Sequence, residues 1–276
     1  VLLTTIASGG NWKDALPAAC AVELIHNFSL IHDDIEDNSP QRRGRPTIWK
    51  KWGIAQATNI GDTMFTLAHM QLLHLADILP PENVIRAATL LHQVCLQLTQ
   101  GQYLDLAYEH RDQLSEDDYW CMISGKTATL LAACAELGAM TAAASEELCK
   151  TYHEFGYALG SAFQAQDDYL GIWGDAELTG KSNDSDLVSG KKTLPIIYGL
   201  NNKGEFYQRW IRGSISPTEA PILANLLEQE GAKSYIKKHI DRLTNQAIQH
   251  LEAARPYGDA GDALKELTNL LLHRKS

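Results

Sequence analysis

Two groups of acidic residues carry the chemistry that this sequence suggests. The first group is residues 33–37 (DDIED) and the second is residues 167–168 (DD), and each ends an apolar helical stretch and precedes a basic, glycine-containing segment. Carboxylates at a helix C-terminus lie at the negative end of the helix dipole, so a group of them lowers stability unless a cation neutralises their charge. Two such groups predict a diphosphate held between metal ions.

The spacing within the first group suits magnesium. In a helix of 3.6 residues per turn, Asp33 and Asp37 share one face. Ser29 and His26 continue that face toward the N-terminus, while Asp34 points about 100° away, as a bridging or outer ligand does. Mg²⁺ prefers oxygen ligands and binds one or two protein carboxylates, with water and substrate phosphate in its other positions. An Asp-x-x-x-Asp pair on one helix face meets that need.

Basic side chains accompany both acidic groups. Three arginines, Arg42, Arg43 and Arg45, follow the first group, and guanidinium groups match phosphate oxygens in pairs of hydrogen bonds. Point charges are available from Lys126, Lys181, Lys191 and Lys192. Metal ions, arginine and lysine around a diphosphate stabilise it as a leaving group. The reaction implied is ionisation of a carbon–diphosphate bond.

Helices are the elements that must position these residues. Pro17 begins a predicted helix that runs to Asp37, because proline at the first helical position gives up no needed donor, and residues 40–46 predict a loop. Ser115 followed by Asp118 forms a predicted capping box that starts a helix through Lys126. Further helices are predicted at about 54–79, 82–109, 116–140, 145–173, 218–230, 232–253 and 260–274, with another after Pro195 and a polar loop at 174–190.

Composition limits the possible classes of protein. The chain has 276 residues, enough for one large core, and its nine prolines leave long helix-forming stretches, so we expect an all-α fold. No apolar run reaches the roughly 18 residues that span a bilayer, and no leader pattern is present, so we expect a soluble, cytoplasmic protein that is not transmembrane. The five scattered cysteines fit a reducing compartment, and the net charge of −10 argues against a nucleic acid partner.

With these motifs, the chain resembles the trans-isoprenyl diphosphate synthase (polyprenyl synthetase) family, and most of all its geranylgeranyl diphosphate synthases. The segment ELIHNFSLIHDDIEDNSPQRRGRPT is similar to the family's first aspartate-rich region, and FQAQDDYLGIWGDAELTGKSNDSDLVSGKKTLP is similar to its second. GQYLDL and ISGKTATLL match the helices between them. The similarity covers roughly residues 1–200. It implies one polyprenyl synthetase domain over residues 1–276, a helical bundle around a central apolar cavity.

The resemblance also implies ligands and substrates. The expected cofactor is Mg²⁺, three ions when diphosphate is bound, held by Asp33, Asp37 and Asp167. Asp34 and Asp168 would assist, and Lys126 and Lys191 complete the expected catalytic set. The expected reaction joins isopentenyl diphosphate to an allylic prenyl diphosphate through a carbocation, and a homodimer is the expected assembly.

A set of substrate-binding residues follows from the same motifs. Arg42 would hold the allylic diphosphate, and Arg43 and His26 the isopentenyl diphosphate, while Gln102 and Asp105 line the cavity. The full expected set is His26, Arg42, Arg43, Lys126, Thr127, Gln164, Lys181 and Lys191.

Product length is expected to depend on residues before the first acidic group. Phe28 lies five residues before Asp33, about 7.5 Å along the helix, and its neighbour Ser29 is small. Core packing is the alternative role for Phe28. In the family this pattern is similar to that of geranylgeranyl diphosphate synthases, with farnesyl diphosphate as the second expectation.

The sequence departs from the family in two places. The second region usually reads Asp-Asp-x-x-Asp, but its last position here is Gly171, and the segment also aligns loosely with the metal triad of class I terpene cyclases. A cyclase and a non-catalytic synthase subunit are therefore alternative functions. A Gly-Lys-x-x-x-Arg-Pro segment that binds isopentenyl diphosphate is expected just before Val1, so we expect an N-terminal segment to be missing.

Overall fold

α-Helices form almost all the regular structure of this chain. The structure, a computed structural model, describes residues 1–174 and 186–272. The α-helices there are α1 (Leu2–Ala7), α2 (Leu16–Glu36), α3 (Ile48–Trp52), α4 (Ile54–Leu73), α5 (Pro81–Glu109), α6 (Glu116–Ile123), α7 (Thr129–Thr141), α8 (Glu146–Trp173), α9 (Asp186–Ser189), α10 (Leu194–Asn202), α11 (Glu205–Trp210), α12 (Ala220–Gln229), α13 (Ala232–Ala253) and α14 (Gly258–Leu272). The predicted all-α class is confirmed.

Two predicted helix starts have the expected local causes. Proline occupies the first turn of α2, where no backbone donor is lost. At the start of α6 the Ser115 hydroxyl accepts the Asp118 N–H at 3.1 Å, and the Asp118 carboxylate accepts the Ser115 N–H at 2.9 Å. This reciprocal capping box satisfies two donors that the first helical turn leaves unpaired.

Two segments differ from the sequence-based expectation. The helix predicted over 116–140 is interrupted by a π-helical turn, Ser124–Ala128, between α6 and α7. The predicted loop at 40–46 is a hairpin of strands β1 (Gln41–Arg42) and β2 (Arg45–Pro46). Its two turn residues, Arg43 and Gly44, have φ angles of 51° and 73°, the left-handed conformation that a two-residue hairpin turn favours.

The core holds the two acid-bearing helices in place. Helix α2 packs on α4, and α8 packs against both α7 and α13. The main hydrophobic cluster includes Ile25 of α2 and Phe155 of α8, while a second cluster joins the end of α8 to α9–α12 through Ile172, Leu187 and Phe206. None of the helices in residues 1–174 and 186–272 has both the length and the apolar character that crossing a bilayer requires.

Candidate active site

The hairpin places Arg42 against the first acidic group at the end of α2. The Arg42 Nε donates to Asp34 Oδ1 at 2.8 Å, and its Nη2 donates to Asp33 Oδ2 at 3.1 Å. The hairpin is tied back by Thr47 and Trp49, whose side chains both donate to the Ser39 carbonyl, at 2.9 and 2.8 Å. Because Asp34 is buried, with 6% exposure, its contact fixes the orientation of the guanidinium group.

Asp37 is the acid of this group whose pKa is shifted most. Desolvation, followed by the negative charge of Asp33, raises the pKa of Asp37 to about 6, against the opposing effects of Lys126 and Lys191. A carboxylate in this state gains stability from a nearby cation. The predicted repulsion between like charges therefore acts mainly on Asp37, because Asp33 is already paired with Arg42.

A close helix contact brings Lys126 to the acids. A Cβ on Gly101 of α5 would lie 2.3 Å from the Lys126 backbone nitrogen, and a Cβ on Gly125 would lie 2.7 Å from the Gln97 carbonyl oxygen. Only glycine at both positions permits this approach of α5 to the π-helical turn. As a result the Lys126 Nζ donates to Asp33 Oδ1 at 3.1 Å and also to the Asp105 carboxylate.

Asp105 links Lys126 to Lys191. The Lys191 Nζ lies 3.7 Å from Asp105 Oδ2. Burial acts to raise the pKa of Asp105, but Lys191 and Lys126 outweigh it and hold this pKa below its usual value. Burial likewise acts to lower the pKa of Lys191, but carboxylates on several elements outweigh it and raise this pKa: Asp105, Asp168, Asp186 and Asp37. Lys191 thus lies within the field of both acidic groups.

In the second acidic group, Asp168 is buried and links neighbouring helices through hydrogen bonds. It is 3% exposed, and its two oxygens accept hydrogen bonds from the Tyr119 hydroxyl at 2.7 Å, the Gln164 amide at 2.9 Å and the Leu194 N–H at 3.0 Å. Burial raises the pKa of Asp168 despite these donors. With both oxygens engaged, Asp168 joins α6, α8 and the start of α10, and its neighbour Asp167 is half-buried beside it.

The two acidic groups are connected through adjacent residues of the π-helical turn. Lys126 contacts Asp33 of the first group, and the Thr127 hydroxyl donates to the side-chain amide oxygen Oε1 of Gln164 at 3.0 Å. Gln164 in turn holds Asp168. Five of the residues expected from the sequence are therefore joined in one hydrogen-bonded chain between α2 and α8, in which the peptide bond links Lys126 to Thr127.

The other expected residues lie around this centre. His26 is half-buried on α2, and Arg43 is exposed at the hairpin turn. Phe28 is 8% exposed and packs edge-on against Phe65 of α4, with ring centroids 5.2 Å apart. The Ser29 hydroxyl donates to the His26 carbonyl at 2.8 Å. Elsewhere, the Gln102 amide donates to Glu36 at 2.8 Å, and Lys181 lies outside the described residues.

No sequence pattern indicated a role for Tyr119, and none distinguished the role of Lys192 from that of Lys191. Tyr119, 1% exposed, reaches Asp168 from α6, and no motif marks it, because a tyrosine in an apolar stretch reads as core. Lys191 and Lys192 are adjacent and alike in sequence, but the Lys192 Nζ donates to the carbonyls of Tyr108, Glu109 and Arg111 at the end of α5. Lys192 therefore neutralises a helix C-terminus.

The donor chemistry of the site fits Mg²⁺. Asp33, Asp37 and Asp167 offer carboxylate oxygens, which this ion prefers. In the part of the chain that the structure describes, no three acidic, histidine or cysteine side chains form a ready metal site. One ion needs only one or two protein carboxylates when a diphosphate supplies further oxygens, and the raised pKa of Asp37 identifies a carboxyl that a cation would stabilise.

Comparison with known proteins agrees with this arrangement. The sequence profile of the polyprenyl synthetase family matches residues 1–224. The chain belongs to the polyprenyl synthetase family. It is 37% identical to a geranylgeranyl diphosphate synthase of Mycobacterium tuberculosis over 100% of this chain and 78% of that protein.

Solved structures of this family have the same fold. A polyprenyl synthetase from Streptomyces coelicolor superposes with a TM-score of 0.90 at 37% identity, covering 98% of this chain and 82% of that one. A polyprenyl synthase from Caulobacter crescentus, solved with calcium and isoprenyl diphosphate, has a TM-score of 0.86 at 30% identity, covering 99% and 83%. The predicted family and fold are confirmed.

Proposed function

We propose that this protein is a magnesium-dependent trans-prenyltransferase that joins isopentenyl diphosphate to an allylic prenyl diphosphate. Its product is all-trans geranylgeranyl diphosphate, with farnesyl diphosphate as the shorter alternative. The observation that carries the proposal is the hydrogen-bonded chain from Asp33 through Lys126, Thr127 and Gln164 to Asp168. It ties two acidic groups, distant in sequence, to one cationic centre.

Each group of the centre has a role in this reaction. Asp33, Asp37 and Asp167 hold Mg²⁺, and Asp34 orients Arg42 toward the allylic diphosphate. Bound Mg²⁺ supplies neutralisation of the departing diphosphate. Lys126, oriented by Asp105, adds positive charge where negative charge develops on the leaving oxygen, an effect strengthened when water is excluded.

The remaining proposed contacts hold the second substrate and support the site. Arg43 and His26 bind isopentenyl diphosphate, while Lys191 and Lys181 contact the allylic diphosphate. Thr127 and Gln164 position Asp168, which braces the start of α10. The double bond of isopentenyl diphosphate attacks the allylic cation, and a proton then leaves. The apolar faces of the surrounding helices keep water from the cation.

Phe28 and Ser29 are proposed to set product length. Phe28 forms an aromatic row with Phe65 on the neighbouring helix, so the growing apolar chain meets two rings at this level of α2. Ser29 adds little bulk because serine is small. Its hydroxyl is hydrogen-bonded to its own helix. A rigid aromatic pair at a fixed depth ends elongation after a fixed number of isoprene units.

We also propose a homodimer of single-domain subunits, formed through α4 and α5. These helices expose a row of large apolar side chains, including Met70 (57%), Leu73 (58%), Ile85 (65%), Leu96 (59%) and Tyr103 (70%). Several large apolar side chains exposed on two helices that pack together favour a protein–protein contact. On α5, the spacing of Ile85, Leu96 and Tyr103 in the sequence places all three along one side of the helix.

Product sizing tests the function directly. The protein is incubated with labelled isopentenyl diphosphate and an allylic diphosphate, with Mg²⁺ or with a chelator, and the dephosphorylated products are sized. We expect chain growth only with Mg²⁺, abolished by Asp37→Ala and retained by Asp241→Ala, which removes an exposed acid on α13. A diphosphate-free hydrocarbon would indicate a cyclase instead. Absence of any turnover would support a non-catalytic subunit.

A further inference from the structure

The missing acid of the second group has a structural counterpart. Gly171 lies on α8 one helical turn after Asp167, so both positions share a face. A Cβ built on Gly171 would lie 2.3 Å from Oδ2, 2.9 Å from Cγ and 3.3 Å from Oδ1 of Asp186. The carboxylate of Asp186 therefore occupies the space that a side chain at position 171 would fill.

The placement of Asp186 is built into the fold. Asp186 is the first residue of α9, and the next residue, Leu187, is 1% exposed in the second hydrophobic cluster. The Asp186 carbonyl also accepts the Lys191 N–H at 3.1 Å and the Ser189 hydroxyl at 3.1 Å. The same short segment thus carries the carboxylate to α8 and Lys191 to Asp105.

The glycine is otherwise unfavourable at this position. Glycine inside a helix is less stable than alanine by about 1 kcal/mol, and α8 continues two residues beyond Gly171. Because any side chain there would displace the Asp186 carboxylate, the glycine and the aspartate form one matched pair. Asp186 also acts on the charged centre, since its negative charge helps to raise the pKa of Lys191.

We propose that Asp186 supplies the third carboxylate of the second acidic group, in place of the acid absent at position 171, and so completes the site for a metal-bound diphosphate. This inference rests on the proposed prenyltransferase function. It assigns a residue on α9 to a role that the usual motif gives to α8.

Binding of Mg²⁺ with inorganic pyrophosphate, measured by calorimetry, tests the assignment without turnover. Asp186→Asn keeps the shape of the side chain and removes its charge. We expect it to weaken pyrophosphate binding about tenfold or more with little change in melting temperature. Asp241→Asn, at an exposed acid on α13, is the matched control and should bind normally.

An exchange of the two residues tests the pairing. Gly171→Asp alone should weaken binding, because its side chain collides with Asp186. Combined with Asp186→Ala, Gly171→Asp should restore binding to within about threefold of wild type, a non-additive result that only interacting residues give. Unchanged affinity in Asp186→Asn, or no recovery in the exchanged protein, would overturn the inference. A wild-type protein that neither binds magnesium pyrophosphate nor elongates a prenyl chain would instead overturn the proposed function.

Discussion

Replacing Asp37 with asparagine should stabilise the metal-free protein at neutral pH. Desolvation and Asp33 raise the pKa of Asp37 from 3.8 to about 6, so the folded state holds a proton that the unfolded state releases. The wild type therefore loses stability as pH rises from about 4 to about 6, and the loss is complete above that range. Asparagine does not titrate and avoids this loss.

The expected size follows from the shift. About two pKa units correspond to roughly 3 kcal/mol, but Asp37 is only partly desolvated, because it lies at the surface, and screening reduces the effect to about 1 kcal/mol. For a protein of this size that is a rise of about 2 °C in melting temperature.

Thermal unfolding followed by circular dichroism, with a chelator present, measures this effect. We expect Asp37→Asn to melt above wild type at pH 7.5, with the difference vanishing near pH 4. Asp241→Asn is the control and should show no such pattern. With Mg²⁺ and pyrophosphate the order should reverse, because the variant lacks a ligand. If Asp37→Asn melts at or below wild type at pH 7.5 without metal, then the ionised Asp37 does not destabilise the metal-free protein.

Three further changes test other parts of the site. Phe28→Ala should shift products toward longer chains by at least one isoprene unit and lower stability by about 3 kcal/mol; an unchanged product size on chromatography would assign Phe28 to core packing alone. Tyr119→Phe removes one of the donors to the buried Asp168 and should lower the unfolding free energy in urea by about 1–2 kcal/mol, whereas a neutral result would mean that another donor replaces it. Leu96→Lys should convert a dimer to monomers in sedimentation, while Ile222→Lys, equally exposed on α12, should not; equal behaviour of the two variants would exclude the α5 face.

The sequence predicted the helices because their positions depend on local patterns. Proline near the start of α2 and the Ser115 capping box act over a few residues, and both helix starts are found close to where they were expected. The acids, arginines and lysines of the proposed site were selected because diphosphate chemistry requires those residue types, and their roles remain predictions.

What the sequence did not predict depends on contacts between distant segments. The π-helical turn at Ser124–Ala128 occurs where α5 approaches at Gly101. Gly125 within the turn permits that approach, but a glycine alone does not predict which helix comes close. The different roles of Lys191 and Lys192 depend on which of them faces the end of α5. Asp186 is far from Gly171 in sequence, so only the folded chain shows that one fills the space left by the other.

Diffraction from crystals soaked with pyrophosphate and Mn²⁺, a stand-in for Mg²⁺ with an anomalous signal, tests the central claim most directly. We expect anomalous peaks beside the carboxylates of Asp33 and Asp37 and beside Asp167, with pyrophosphate density between them in contact with Lys126. Peaks confined to other surfaces, or pyrophosphate bound away from both acidic groups, would contradict this account of the site.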